Sequence, residues 1–341
     1  VQAGTDGKGI ILQLGGNAEN PEGYQLKVTS DQVVISGPTE AGVFYGIQTL
    51  RKSIPVAQGV DIALPAVEIN DYPRFSYRGA MLDVSRHFFP VDSVKRFIDM
   101  LALHNINRFH WHLSEDQGWR IEIKSRPELT EIGSKRAETV IGHNSGKYDG
   151  KPYGGFFTQE EAKEIVAYAA ERHITVIPEI DMPGHSNAAL AAYPELACPS
   201  VDKHICVVPG MGQGSGNIIF CAGNEDTFRF LEGVIDEVAE LFPSHYIHLG
   251  GDEAWKDYWK KCPRCADRMK QEGITHIEEL QSYFMRRMSK YVQSKGKQVM
   301  GWDELTNSTL PDGAIIFGWQ GMGNAALKAA AQGHRFVMTP A

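Results

Sequence analysis

Apolar and polar positions alternate in short bursts at the start of the chain. Residues 10–14, 24–28 and 32–36 each carry a two-residue period rich in Ile, Val, Leu and Tyr, which predicts three strands, with Pro-Glu-Gly and Ser-Asp between them as turns. After Pro38 the period lengthens, and Val43, Ile47 and Leu50 recur at helical spacing, so a helix is predicted over 40–53. Residues 1–70 are therefore read as a small α+β domain of strands plus one helix. No titratable residues cluster in it, so its expected duty is packing or positioning. Ile69-Asn70-Asp71-Tyr72-Pro73-Arg74 reads as the linker that follows.

Beyond that linker, strand-like and helix-like stretches take turns. Strands are predicted over 78–84, 106–113, 174–180, from 246, and over 298–301, 314–318 and 336–338; helices over 91–104, 159–172, 227–241, 277–295 and 325–332. A polar, Gly-rich insertion (133–157) and a loop with Pro and Gly (198–223) interrupt the series. Alternation of this kind implies a parallel sheet, and seven strands suggest an α/β fold of the (β/α)8 TIM-barrel type over 71–341. One more strand and the last two helices are expected beyond residue 341, so the barrel is C-terminally incomplete in this sequence, its last strand missing.

The stretch around which the rest is organised is Tyr246-Ile247-His248-Leu249-Gly250-Gly251-Asp252-Glu253-Ala254-Trp255. Side chains alternate along a strand, so Asp252 and Glu253 cannot share a face while the pleat persists. The two glycines let the backbone leave the pleat, after which both acids can address one substrate. Crowded carboxyls divide labour, one ionised and one holding a proton as general acid. The plainer alternative is a turn before a helix N-terminus, with both acids as caps.

With 341 residues and 42% hydrophobic content, the chain can bury a large core without disulfides or metal. Its net charge is −8, and its 34 Lys and Arg are scattered without a block, which argues against nucleic acid or an anionic membrane as partner. A neutral or small molecule is the expected partner. No apolar run approaches the length of a membrane span, and the chain opens Val-Gln-Ala-Gly, so composition leaves localisation and oligomeric state open. Among the five cysteines, Cys262 and Cys265 form a C-x-x-C that could be a redox pair or half a zinc site. No second C-x-x-C exists, and a local structural or disulfide role near a helix start is favoured. Cys198 and Cys206 could pair in an oxidising compartment, leaving Cys221 over.

Barrel sites are built at strand C-termini. The strand ends here carry Asp83 to Phe89, His110 to Trp119, Glu179 to Ser186, Asp252-Glu253, Trp302-Asp303-Glu304 and Trp319-Gln320. Converging acids with tryptophan walls suit a sugar: acids for the acetal, polar forks for hydroxyls, flat faces for C–H surfaces. Core packing is the alternative for Trp302 and Trp319, and glycine beside each favours a cavity wall.

Four ordered motifs together resemble glycoside hydrolase family 20, the β-N-acetylhexosaminidases: Tyr77 to Phe88, the His-Trp-His-Leu-Ser-Glu-Asp-Gln-Gly-Trp-Arg run, Pro178 to His185, and His248 to Glu253. The likeness covers residue 70 onward, and the first domain is similar to the family's small companion domain. It implies an exo-acting enzyme that releases terminal, non-reducing β-linked GlcNAc or GalNAc with retention, the substrate's own 2-acetamido group serving as nucleophile through an oxazolinium intermediate. In that scheme Glu253 is the acid/base and Asp252 steadies the acetamido group. His185 and Asp116 tune the acid/base, Arg86 grips the 3- and 4-hydroxyls, Trp302 and Trp319 wall the acetamido pocket, and Asp181 lies near the site. No cofactor or metal is implied, and the resemblance points to a secreted, periplasmic or cell-surface protein. The family's acetamido-binding tyrosine, and a later tryptophan and glutamate, fall beyond residue 341.

Two rivals are carried forward. One is a metal-dependent barrel hydrolase using His110 and His112, completed by His185, His248 and Asp252. The other is a non-catalytic carbohydrate-binding protein, which would keep Arg86 and the tryptophans but have no use for adjacent acids.

Overall fold

A computed structural model describes residues 9–15, 19–55, 62–143, 145–201, 204–210, 218–307, 309, 311–321 and 323–339. Parts of the loop predicted over 198–223 lie outside the described residues. The chain divides into two compact units. One takes the residues up to 80 with 92–109 and 167–175, and the other takes 81–91, 110–166 and the chain from 176.

In the first unit, β1 (Gly9–Leu14), β2 (Tyr24–Val28), β3 (Gln32–Gly37) and β4 (Val67–Asp71) form a sheet in the order β1-β3-β2-β4. β1 runs parallel to β3, and β2 runs antiparallel to both its neighbours. The predicted linker is corrected here, because Ile69, Asn70 and Asp71 pair with β2 instead of crossing between domains. Val67 and Ile69 alternate with polar residues as a strand requires, and the turn signal of Tyr72-Pro73 obscured it. Helix α1 (Glu40–Ser53) is capped by Thr39, whose hydroxyl accepts from the Gly42 N–H, and it covers a core of Tyr24, Leu26, Ile35, Val43, Tyr45 and Leu50. A Cβ on Gly42 would meet the Gly23 carbonyl oxygen at 2.2 Å, so glycine there is a packing requirement. Glu22 knits the unit together, pairing with Arg78 at 2.9 Å and accepting from the Asn107 amide at 2.9 Å.

The second unit is dominated by the sheet of β5 (Gly79–Asp83), β6 (Arg108–His112), β7 (Thr175–Glu179), β8 (Tyr246–His248), β9 (Gln298–Trp302), β10 (Ile315–Gly318) and β11 (Phe336–Met338). These seven strands neighbour one another in chain order, and each adjoining pair from β7 to β11 is parallel. This curled parallel sheet is that of a TIM-type barrel. Short strands of near-continuous Val, Ile, Met and Phe are what a sheet covered on both faces needs, and all of Ile315–Gly318 is buried. Two helices of this unit, Glu225–Leu241 and Ile277–Ser294, bury Val234, Ile235, Val238, Phe284, Met288 and Val292, with the Phe228 and Phe284 rings 4.9 Å apart.

The cysteines also correct the sequence expectation. Cys206 is exposed, while Cys198, Cys221, Cys262 and Cys265 are buried together with no disulfide among them. The residue left over is therefore Cys206, not Cys221. Fold, not sequence spacing, decides which thiols meet.

Candidate active site

The site grows from the carboxyl ends of β5 to β10, and its bends sit where the sequence places glycine. β8 stops at His248; Gly250 and Gly251 then take φ of 66° and 97°, and Glu253 itself holds a φ of 41°. The pleat is abandoned as expected, and the chain turns so that both acids reach one neighbour.

That neighbour is His185, from the turn after β7. Its Nε2 lies 3.2 Å from Asp252 Oδ2 and 3.5 Å from Glu253 Oε2, and its Nδ1 lies 2.6 Å from Glu115 Oε1. Burial opposes charge on this imidazole, but the Glu115 carboxylate and hydrogen bonding to Asp252 and Glu115 overcome it, holding His185 well above the ordinary histidine value. Burial likewise opposes charge on Glu115, yet His185 and Arg86 keep it well below the usual carboxylate range. Asp116, the partner expected from sequence, is farther off at 3.9 Å and accepts from the Asn187 N–H at 2.9 Å; burial and the adjacent Glu115 push it up to about 6. Glu115 thus occupies the closer position. The hairpin Ser114–Glu115/Gly118–Trp119 decides which of two neighbouring acids faces His185, and no spacing rule discloses that register.

Arg86 arrives from the end of β5. Asp83 Oδ1 accepts from the Ser85 and Arg86 N–H groups at 2.8 and 3.0 Å, and Asp83 Oδ2 receives the guanidinium at 2.8 Å. The same guanidinium reaches Glu115 at 3.4 Å, so arginine, Glu115, His185 and the acid pair form one chain of charges. Asp181 is buried, and Gly251 N–H donates to its Oδ1 at 3.1 Å. Burial and the nearby Asp252 raise Asp181 well above the ordinary aspartate value. Asp181 Oδ2 and Asp252 Oδ1 have no hydrogen-bond partner among the described residues.

The tryptophans differ from each other. Trp302 is 8% exposed, donates from Nε1 to Glu179 Oε1 at 2.8 Å, and packs on His110 and His248. Trp319 is less buried and donates to Glu304 Oε2 at 3.2 Å. Burial and the charge of Asp252 push Glu304 up to about 7. Glu304, Glu115 and Glu179 were given no role from sequence, and His112 was weighed only as a metal ligand. Only their places at or beside strand ends could have pointed to them.

Beneath the site, Glu179 gathers imidazoles: His110 Nε2 and His112 Nδ1 each lie 2.7 Å from its Oε2, and His248 Nδ1 lies 3.1 Å from its Oε1. Ligands of one tetrahedral zinc with bonds of about 2.0–2.1 Å would stand about 3.3 Å apart. Both separations are 2.7 Å, that from His112 Nδ1 being a hydrogen bond, and they leave no room for an ion between His110, His112 and Glu179. The expected completion by His185 and Asp252 fails too, since those groups belong to the acid cluster above.

Residues 75–341 match the family model described as "Glycosyl hydrolase family 20, catalytic domain", and residues 2–72 match "Glycosyl hydrolase family 20, domain 2". A beta-hexosaminidase of Porphyromonas gingivalis is 45% identical across 100% of this chain and 43% of its own length. One from Vibrio furnissii is 41% identical across 93% of this chain and 51% of its own. The chain thus spans about half the length of these curated relatives. Among solved structures, the beta-N-acetylhexosaminidase of Bacteroides fragilis matches with a TM-score of 0.83 at 38% identity, over 99% of this chain and 64% of that one. The exo beta-N-acetylglucosaminidase of Vibrio harveyi, in complex with N-acetylglucosamine, matches at 0.84 and 35%, over 97% and 52%.

Proposed function

This chain belongs to glycosyl hydrolase family 20, and from that premise we propose that it carries the reaction centre of an exo-acting β-N-acetylhexosaminidase. Its substrate is a glycan or chito-oligosaccharide ending in β-linked GlcNAc or GalNAc. The observation that carries this reading is the convergence of Asp252 and Glu253 on His185, which Glu115 ties to Arg86.

In the proposed reaction, Glu253, whose side chain is half exposed, gives its proton to the glycosidic oxygen. The carbonyl oxygen of the substrate's acetamido group attacks the anomeric carbon as the aglycone leaves, and the resulting oxazolinium keeps its N–H. Asp252, more enclosed, accepts that N–H and steadies its positive charge. Glu253, now a carboxylate, takes a proton from water as the water opens the ring, which restores the starting acid and yields a retained sugar. Arg86 is assigned to the hydroxyls, Trp319 and the exposed edge of Trp302 to the acetamido wall, and Asp181 to holding the turn that carries Asp252. His185 orients both acids, with Glu115 and, at greater distance, Asp116 behind it.

We propose residues 1–70 as a separate small domain, 71–341 as the catalytic barrel, and action outside the cytoplasm, where such glycans are met. The test is hydrolysis of an aryl β-N-acetylglucosaminide by the full-length protein. Glu253→Gln is expected to cost about 10²–10⁴-fold in kcat, and Asp252→Asn is expected to fall with it. Unchanged turnover in Asp252→Asn would show that the acetamido group is not the nucleophile being steered, and binding without turnover in the native protein would support the lectin-like alternative.

A further inference from the structure

Four cysteines from three separated stretches of chain meet in the second unit, all buried: Cys198, Cys221, Cys262 and Cys265. The Cys198 and Cys265 sulfurs lie 3.9 Å apart, Cys221 and Cys262 3.7 Å, and Cys221 and Cys265 3.8 Å. All four fall within 4.8 Å of one another. Disulfide sulfurs would stand about 2.05 Å apart. Four thiolates around one zinc, each at about 2.3 Å, form a tetrahedron whose edges measure about 3.8 Å.

We propose that Cys198, Cys221, Cys262 and Cys265 hold one structural zinc ion. The donor set is the closed, all-sulfur kind that leaves no position for substrate, so the role is to fasten chain and not to do chemistry. The surroundings fit. Cys262 caps and Cys265 lies in the first turn of the helix Pro263–Gln271, where the C-x-x-C spacing brings both sulfurs to one side. A Cβ on Gly223 would lie 2.1 Å from the Arg264 carbonyl carbon and 2.4 Å from the Cys265 nitrogen, so glycine lets the two sulfur-bearing segments close up. Between them the Trp259 indole donates to the Phe220 carbonyl at 2.8 Å. Binding replaces four S–H protons with one divalent cation and leaves a net charge of −2, so the ion is released on acidification. What it fastens is the segment just after Asp252 and Glu253, which it ties to the chain following His185.

The test is metal and thiol analysis of the protein purified without added metal or chelator. About one zinc per chain is expected, with Cys206 alone reacting with a thiol reagent until a strong chelator exposes the other four. Substituting Co(II) should give the intense visible bands of a tetrahedral thiolate site. The double variant Cys262→Ser/Cys265→Ser should lose the metal, and Cys206→Ser should keep it. Where the double variant does not fold, the metal and thiol counts of the native protein still decide. Native protein without zinc whose mass shows disulfides, or whose five thiols all titrate with no metal released, overturns the proposal, as does zinc retained undiminished in the double variant.

Discussion

Neighbouring acids of the same type carry different weights once the backbone fixes which one points inward. Glu115 accepts from His185 at 2.6 Å and also meets Arg86 and His112, whereas Asp116 lies 3.9 Å from the same imidazole. Glu115→Gln should therefore lower kcat/KM by about 10²–10⁴-fold, the range seen when a group orienting a catalytic base is neutralised. Asp116→Asn should cost much less. Steady-state kinetics on both variants checks this, and equal losses would return the role to Asp116. Glu304 gives a prediction with a definite sign. Its folded value of about 7 stands above the ordinary 4.5, so between those limits the native state holds a proton that the unfolded chain has released. Stability should fall as pH rises through that window, and Glu304→Gln should remove this part of the fall. Denaturant midpoints of both proteins at the two ends of the window measure it. For His185 the sign also follows from a raised value: its pairing stabilises fully below 6.5 and is lost as pH climbs through the folded value. Glu115 runs the other way and loses its contribution as pH drops below 4.5 through its depressed value.

Elements were the most legible level of the sequence, and the turn after β8 shows both how far that went and where it ended. The apolar run and paired glycines announced a strand that stops and bends, and the chain does so, with positive φ at Gly250 and Gly251. What the pattern could not supply was the partner of the bend. A Cβ on Gly250 would lie 1.7 Å from Asp181 Oδ1, so this glycine answers to a side chain from another strand end as well as to its own torsion. Gly273 has the same φ of 66° but open space around it. Gly250→Ala should thus cost the left-handed backbone penalty of about 1–2 kcal/mol and in addition displace Asp181 and most of the activity. Gly273→Ala should cost the backbone part alone. Thermal melts and turnover of the pair separate the two effects, and equal behaviour would mean that the close approach to Asp181 does not matter. Pairings that depend on distant segments were illegible for the same reason. The C-x-x-C spacing marks Cys262 and Cys265 as neighbours, but nothing in the sequence brings Cys198 and Cys221 to them.

Across the whole sheet, the order of seven strands could be read from alternation alone, but the buried polar hub beneath the site could not, because nothing in the separate strands marks Glu179 as the common partner of their imidazoles and indole. Glu179 of β7 holds His110 and His112 of β6, His248 of β8 and Trp302 of β9, so one carboxylate ties four adjacent strands. Burial opposes its charge, yet His112 and His248 keep it well below the usual range. Burial also opposes charge on His112, while Glu179 and Asp83 hold it well above the ordinary histidine value. Burial pushes His110 down to about 4 in spite of Glu179. The hub therefore holds a charged His112 against Glu179 and a neutral His110 beside them. Glu179→Gln keeps the shape and removes the counter-charge, leaving a protonated imidazole in a dry interior. A loss of about 3–5 kcal/mol is expected, as for other buried pairs broken from one side, read as a lower denaturant midpoint with an unchanged slope. The defect should shrink as pH rises, because His112 can then shed its proton. A variant as stable as the parent, or one whose defect grows with pH, would mean that the hub is held by packing and that its charges are incidental.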